Sequence, residues 1–98
     1  MTRQDYNKII LNDLQEKKFF ESFMNDDIAR DIYDIIEEKI YTCQDLRFGQ
    51  ILCNTLPQYQ DRKVQSINQI FDMLFYGCKC DPFYEEPEQT CIRLNIHK

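Results

Sequence analysis

Hydrophobic and polar residues alternate along this chain with the period of an α-helix, and the pattern is clearest between residues 28 and 40. Isoleucines recur there at separations of one, three or four residues, with charged residues between them: Ile28, Ile32, Ile35, Ile36 and Ile40. This spacing puts the isoleucines on one face of a helix. Asn25-Asp26-Asp27 supplies side-chain oxygens for the exposed backbone N–H groups of a first turn, so we predict that this second helix begins there.

A similar period near the amino terminus predicts a first helix from about residue 3 to residue 16. Its apolar residues recur every four positions: Tyr6, Ile10 and Leu14. Thr2 precedes Asp5 by three residues, which resembles a capping box with Asp in place of Glu.

Two later helices are predicted from apolar repeats with signals at their ends. The third helix spans about 45 to 56, because Gln44-Asp45 can cap its start and the residue before Pro57 avoids the helical region. The fourth runs from about 61 to 76 and is followed by Gly77, which suits a left-handed cap. Its apolar face is formed by six residues: Val64, Ile67, Ile70, Phe71, Leu74 and Phe75.

The last part of the chain is predicted to form a turn and then a short helix. Residues 78 to 84 have the composition of a turn. Pro87 fits the first position of a last helix that contains Cys91 and Leu94. We expect the final four residues to fray.

Three phenylalanines between the first two helices leave that segment open: Phe19, Phe20 and Phe23. The segment is either a helix that continues onto a new face or a bend. Surplus phenylalanines can also close a two-fold interface, so a homodimer is one expectation.

The scarcity of turn residues determines the expected fold class. The chain has only two glycines and three prolines, too few for the turns of a sandwich or small barrel. We therefore predict an all-α fold, a compact bundle of four to five helices around one core. Its 98 residues are expected to form a single helical domain, 1–98.

The net charge of −5 comes from seventeen acidic and twelve basic residues. A negative surface repels the phosphate backbone, so direct binding to nucleic acid is disfavoured. It favours encounter with a basic protein surface, although solubility alone is an alternative explanation. No apolar run approaches the roughly 20 residues that cross a bilayer, and the amino terminus lacks the apolar run of a secretory signal. We expect a cytoplasmic protein.

The five cysteines are expected to be free thiols, since their number is odd and reducing cytosol opposes disulfides. The alternative is a structural zinc site, whose ligands would be Cys78, Cys80 and Cys91 with His97 or Cys53. The one-residue gap between Cys78 and Cys80 is shorter than zinc pairs usually have, so we predict no metal and no other cofactor.

Catalytic signatures are missing from the sequence. His97 is the only histidine and lies next to the carboxyl terminus, which suits neither a triad nor acid–base catalysis. There is no nucleophile elbow, no glycine-rich phosphate loop and no H-E-x-x-H. We therefore expect a protein that is not an enzyme.

Acidic residues interleaved with aromatics form the candidate binding surface. Aromatic side chains concentrate binding energy while charges set orientation, so these residues are expected to meet a basic partner. The surface combines the segment from 81 to 88 with the charged face of the second helix: Asp81, Phe83, Tyr84, Glu85, Glu86, Glu88, Asp34, Glu37 and Glu38. The alternative is a solvated turn whose aromatics anchor it to the core.

Two motifs in the second half carry a resemblance. They are Asp45-Leu46-Arg47-Phe48-Gly49-Gln50, continuing to Asn54, and Asp81-Pro82-Phe83-Tyr84-Glu85-Glu86. Together they resemble small uncharacterised proteins of tailed phages and their Gram-positive hosts, in which D-L-R-x-G-Q opens a helix and D-P-F-Y forms a turn. The Cys78 to Cys80 turn departs from that group.

The resemblance implies a phage context, in which small acidic proteins often cover a surface of the host machinery. The expected function is a non-enzymatic acidic interaction module that inhibits a host or defence protein in the host cytoplasm. It would act in an anti-CRISPR-like manner by blocking a nucleic-acid-binding surface as a phosphate mimic. The alternatives are a small structural zinc-binding domain and a homodimeric accessory protein.

Overall fold

The computed structural model describes residues 1–16, 26–55, 62–76, 78, 81 and 83–96, and for residues 26–29, 55 and 62–67 only the backbone. This part of the chain contains five α-helices and no strand, which confirms the predicted all-α bundle. The helices are α1 Arg3–Glu16, α2 Asp26–Thr42, α3 Phe48–Thr55, α4 Arg62–Phe75 and α5 Pro87–Arg93. The radius of gyration is 12.4 Å, close to the roughly 13 Å of a compact chain of 100 residues.

The predicted capping box at the start of α1 is present. The Asp5 backbone N–H donates to Thr2 Oγ1 at 3.2 Å, and the Thr2 backbone N–H donates to Asp5 Oδ2 at 3.0 Å. These bonds from Thr2 lower the pKa of Asp5 below its ordinary value. Aspartate therefore performs here the task that glutamate usually performs in this motif.

The core is built from residues of all five helices. The isoleucine stripe of α2 lies at its centre, since Ile32, Ile36 and Ile40 are fully buried and Ile35 is half-buried. The other helices add three buried residues each except α5, which adds one: Ile10, Leu11, Leu14, Phe48, Ile51, Leu52, Ile70, Leu74, Phe75 and Cys91. The stripe thus faces the interior, as its period predicts.

Helix α2 is the organising element of the bundle. It packs against α1, α3 and α4, while α1 lies between α2 and α5. Helices α1 and α2 run antiparallel, because Gln4 near the start of α1 donates from Nε2 to the Ile40 carbonyl near the end of α2, at 3.2 Å. Residues near the start of α1 therefore lie beside residues near the end of α2.

The third helix begins at Phe48, later than the predicted start at residue 45, and Gln44-Asp45 does not cap it. The chain turns first, with the Leu46 backbone N–H donating to the Cys43 carbonyl at 3.2 Å. Arg47 takes the capping position, and its backbone N–H donates to Gln50 Oε1 at 2.8 Å. This is the glutamine half of a capping box.

The carboxyl end of α5 is more ordered than predicted. Asn95 has a φ of 56°, and its backbone N–H donates to the Ile92 carbonyl at 3.1 Å. The Ile96 N–H donates to the Cys91 carbonyl at 2.9 Å. These two bonds form a Schellman cap with asparagine in the left-handed position. The expected fraying is therefore wrong at Asn95 and Ile96, whereas residues 97 and 98 lie outside the described residues.

Several sequence predictions concern residues that lie outside the described ranges or whose side chains the structure does not describe. They cover the phenylalanine segment and the two-fold interface expected of it, side chains on the predicted helix faces, the residue before Pro57, and residues of the predicted turn, cap and zinc site. These residues are Phe19, Phe20, Phe23, Ile28, Leu56, Val64, Ile67, Gly77, Cys80, Pro82 and His97. Within the described ranges, none of the helices is both long and apolar enough to cross a membrane.

Candidate functional site

Glu86 joins the starts of three helices. It lies just before α5, and its carboxylate accepts hydrogen bonds from Arg3 at the start of α1 and from Arg47 just before α3. Arg3 Nε lies 2.7 Å from Oε1, and Arg3 Nη2 and Arg47 Nε lie 3.0 Å and 2.5 Å from Oε2. The bonds from Arg3, helped by Arg47 and opposed by burial, lower the pKa of Glu86 below its ordinary value.

The D-L-R-x-G-Q motif has a structural role in this network. Arg3 Nη1 donates to the Asp45 carbonyl at 2.7 Å, and the buried Asn7 donates from Nδ2 to the Leu46 carbonyl at 2.9 Å. Arg47 binds Glu86, and Gln50 caps α3. The motif therefore docks the start of α3 onto α1 and the segment before α5.

Asp81 organises the turn that precedes Glu85. Its Oδ1 accepts a hydrogen bond from the Phe83 backbone N–H at 2.9 Å, and its carbonyl accepts from the Tyr84 N–H at 2.8 Å. This is an Asx turn within a β-turn. The Phe83 and Tyr84 rings meet edge to face at 5.4 Å between centroids. Phe83 is half-buried, whereas the Tyr84 side chain is exposed.

Glu85 is buried and fully engaged. Its carboxylate accepts from Arg93 Nε at 3.1 Å and Nη2 at 2.9 Å, from Thr90 Oγ1 at 2.6 Å and from Cys78 Sγ at 3.0 Å. Burial alone would raise the pKa of Glu85, but the hydrogen bonds from Arg93, Cys78 and Thr90 lower it below its ordinary value. The carboxylate is thus held in its charged form inside the bundle.

Arg93 links this cluster to the end of α4. Its guanidinium donates to the carbonyls of Leu74 and Tyr76 and lies over the Phe75 ring, with Cζ 5.6 Å from the centroid. Carbonyls at a helix carboxyl end have no partner within the helix. Arg93 therefore caps α4 while it neutralises Glu85.

The structure departs from the sequence expectation at Glu85, which was expected to face a partner but is buried and binds Arg93. Glu86 binds Arg3 and Arg47 of the same chain, while 41% of its side chain stays exposed. Asp81 is exposed, yet its carboxylate caps the turn. In the same segment, residues 81 to 88, the side chains of Tyr84 and Glu88 are also exposed. The segment is mainly a structural junction.

Acidification should destabilise the protein through Glu85 and Glu86. For both groups the folded-state pKa lies below the ordinary value of 4.5 that applies in the unfolded chain. At a pH between the folded-state and the unfolded-state pKa of such a group, the unfolded state binds more protons. This stabilisation is complete above about pH 4.5 and is lost as the pH falls through the folded-state values. Urea denaturation from pH 7 to pH 3 should show this fall in the free energy of unfolding. The Glu85→Gln variant lacks one of the two carboxylates, so its free energy of unfolding should decline less steeply over the same range. Equal stability across that range would contradict this linkage.

The charged face of α2 is exposed, as predicted. Asp34, Glu37 and Glu38 all lie in solvent, and Tyr41 follows one turn later with 56% of its surface exposed. Residues three, four and seven apart share one side of a helix. The three carboxylates and the tyrosine therefore form one acidic and aromatic surface, which we call the α2 face.

A groove of about 320 Å³ lies between α1 and α2, next to this face. Its lining combines aliphatic, aromatic and charged side chains: Lys8, Ile9, Leu11, Asn12, Tyr33, Glu37, Ile40 and Tyr41. Lys8 Nζ lies 4.6 Å from the centroid of the Tyr41 ring, a cation–π contact. Burial, and then the charge and hydrogen bond of Glu37, raise the pKa of the Tyr33 phenol.

A second cleft of about 270 Å³ lies between α1 and α5. Ile9 borders this cleft as well as the α1–α2 groove, and Glu88 is its acidic lining residue. The rest of the lining is mostly apolar: Met1, Tyr6, Cys91, Ile92 and Ile96. The two parts of the predicted surface, the α2 face and Glu88, are thus on either side of α1.

The described cysteines are held as thiols in separate places. Cys78 donates to Glu85, and Cys91 Sγ points to the Tyr6 carbonyl. Burial raises the pKa of Cys91 to about 11 and also raises the pKa of Cys53. Among the described residues, no three His, Cys, Asp or Glu side chains are arranged to hold a metal ion. The proposed ligands Cys80 and His97 lie outside those residues.

Lys8, Tyr33 and Tyr41 line the groove and were not predicted from the sequence as candidate site residues. A signal was available on α2, because Tyr33, Glu37 and Tyr41 are each four residues apart and must lie on one helical stripe. No local pattern indicated Lys8, since its contact with Tyr41 depends on how α1 packs against α2.

Comparisons with known proteins add no family assignment to this geometry. Searches against protein-family models, curated proteins and solved structures find no match to the chain.

Proposed function

We propose that this chain is a non-enzymatic interaction module that binds a basic surface of another protein through the α2 face. The observation that carries the proposal is the exposed set of Asp34, Glu37 and Glu38 beside Tyr41. None of these four side chains is buried in the core, so the three carboxylates and the part of the Tyr41 ring that Lys8 leaves uncovered are accessible to a partner. Carboxylates would steer a basic surface to the site, and the tyrosine would supply contact area.

The contrast with Glu85 and Glu86 supports this choice of surface. Those carboxylates are neutralised by Arg3, Arg47 and Arg93. They therefore add little to the negative electrostatic potential at the protein surface. The α2 face carries its negative charge outward, and the net charge of the chain is −5. A partner with a basic surface is the one that this field attracts.

The resemblance of D-L-R-x-G-Q and D-P-F-Y to small phage proteins supports a more specific form of the proposal. The module would be phage-encoded and would inhibit a host or defence protein by covering a basic nucleic-acid-binding surface. An acidic helix can act there as a phosphate mimic, because it presents negative charges along a line.

Charge reversal on α2 tests the proposed function. Tagged protein would be used to capture partners from lysate of a Gram-positive host, with identification by mass spectrometry. Glu38→Lys should reduce recovery of the specific partner by about fivefold. The attraction that is lost and the repulsion that is gained at this exposed site together amount to roughly 1 kcal/mol. Higher salt should weaken capture by the unchanged protein, because exposed charges are screened.

The matched control is Asp72→Lys, an exposed position on α4 that changes the net charge by the same amount. It should leave recovery of the partner unchanged. Glu88→Lys tests separately whether the α5 side of the predicted surface contributes. Reversal at Glu85 or Glu86 is unsuitable, because it would disrupt the arginine contacts that join the helices. Equal recovery with Glu38→Lys and Asp72→Lys would rule out the α2 face.

A further inference from the structure

We infer that the α1–α2 groove is a receptor for one arginine side chain of the partner, and that Lys8 is an internal competitor for this position. The inference rests on the proposed function and names the chemistry that the site recognises. Its basis is the placement of Tyr33, Glu37 and Tyr41 around a groove in which the chain's own cation lies.

The aromatic and acidic groups of the groove are complementary to a cation. Tyr41 presents the face of its ring, and Lys8 Nζ lies over it at 4.6 Å. Glu37 lines the same groove, and its carboxylate is hydrogen-bonded to the Tyr33 phenol. A ring face together with a carboxylate is the environment that a guanidinium or ammonium group prefers. The contact with Lys8 shows that a cation can reach this place from the α1 side.

Arginine fits the groove better than lysine for two reasons. A guanidinium is planar, stacks on aromatic rings and donates a fork of hydrogen bonds to a carboxylate such as Glu37. An ammonium is a compact point charge that is more strongly hydrated, so it gains less by leaving water. The groove volume of about 320 Å³ lies at the lower end of ligand pockets, roughly 300 to 1,000 Å³, which suits a single long side chain.

The apolar lining completes the site for an arginine. Ile9, Leu11 and Ile40 line the groove together with Asn12. The methylene stem of an arginine packs on such aliphatic surface while its head reaches polar groups. Lys8 is exposed and meets Tyr41 through a surface cation–π contact, so we expect that a cation with a stronger interaction replaces it there.

A peptide titration tests this inference directly. The probe is acetyl-Gly-Ser-Arg-Ser-Gly-amide, and the neutral control is the same peptide with citrulline in place of arginine. The arginine peptide should shift the backbone amide resonances of Lys8, Tyr33, Glu37 and Tyr41 in ¹H–¹⁵N spectra, and the citrulline peptide should not. Equal shifts with both peptides would overturn the inference, because charge would then play no part.

The Lys8→Met variant tests whether Lys8 competes with the arginine for the groove or has no effect on its binding. It keeps an apolar stem but removes the cation, so the arginine peptide should bind about two- to fivefold more tightly, the size of one exposed cation–π contact. Tyr41→Leu should weaken binding by a similar factor. Arg30→Met, at an exposed position of α2 away from the groove lining, changes the net charge equally and should not tighten binding. If Arg30→Met and Lys8→Met have the same effect, the inference is wrong.

Two further outcomes separate this inference from the proposed function. If Glu38→Lys abolishes partner capture but the arginine peptide leaves the groove resonances unchanged, the groove assignment fails and the proposed function stands. If the peptide and variants behave as expected while Glu38→Lys captures the partner normally, the groove is an arginine site and the proposed function fails. Groove shifts that depend on protein concentration without peptide would assign the groove to a second copy of the chain, which also overturns the inference.

Discussion

Replacing Arg93 with methionine should lower the free energy of unfolding by about 3 kcal/mol, because it leaves Glu85 buried without its cation. Glu85 is 7% exposed and the Arg93 side chain 21%, so solvent screens this pair little. The change also removes the donors to the Leu74 and Tyr76 carbonyls at the end of α4. Methionine retains much of the stem packing, so the loss reports the charge and the hydrogen bonds.

Chemical denaturation and thermal melting measure this effect, and a loss of about 3 kcal/mol corresponds to a fall in Tm of roughly 12 to 24 °C for a chain of this size. Arg30→Met is the control for the same substitution at an exposed site and should cost less than about 0.5 kcal/mol. The double variant Glu85→Gln/Arg93→Met should be more stable than Arg93→Met alone, because no buried charge is left unpaired. An Arg93→Met protein as stable as Arg30→Met would refute the role of the pair.

Shortening Ile36 to alanine should cost about 3 to 5 kcal/mol, the upper part of the range for a buried aliphatic side chain. Ile36 is 0% exposed and lies on α2, which packs against α1, α3 and α4. A cavity at this position is surrounded by several helices and cannot collapse easily. Domains of this size have a total stability of roughly 5 to 15 kcal/mol, so this single truncation should remove a large part of it.

Denaturation with circular dichroism detection measures the cost, with Ile92→Ala as the control. Ile92 is 63% exposed on α5, so the same truncation there should change the stability by less than about 0.5 kcal/mol. Ile36→Val, which removes one methylene, should cost an intermediate 0.5 to 1.5 kcal/mol. Similar losses at Ile36 and Ile92 would show that the isoleucine stripe is not the centre of the core.

The buried face of α2 could be predicted from the sequence. Its isoleucines are spaced so that they lie on one side of the helix, and three of them fill the core. The same reasoning located the capping box at Thr2 and Asp5 and the first-turn proline Pro87. These signals act within one or two turns of the helix, where backbone geometry dictates which side chains meet. The local signal was wrong at Gln44-Asp45, where the chain turns first and the helix begins only at Phe48.

The roles of the acidic residues could not be predicted in the same way. Along the sequence, Glu85 and Glu86 look like residues of an exposed acidic turn. Both are neutralised by ion pairs with arginines from other segments: Arg93, Arg47 and Arg3. Arg3 is 83 positions from Glu86 along the chain, so no spacing rule connects them. Only the packing of α1 against α5 brings that pair together.

The sequence by itself determined the fold class, the buried face of α2, the capping box at the start of α1 and the first-turn proline of α5, because these depend on hydrophobic period and on contacts within a few residues. The tertiary structure alone decided which carboxylates are neutralised and which remain exposed, and it placed Lys8 against Tyr41. Charge interactions depend on distance in space, and the distances between helices are set by the packing of the whole core.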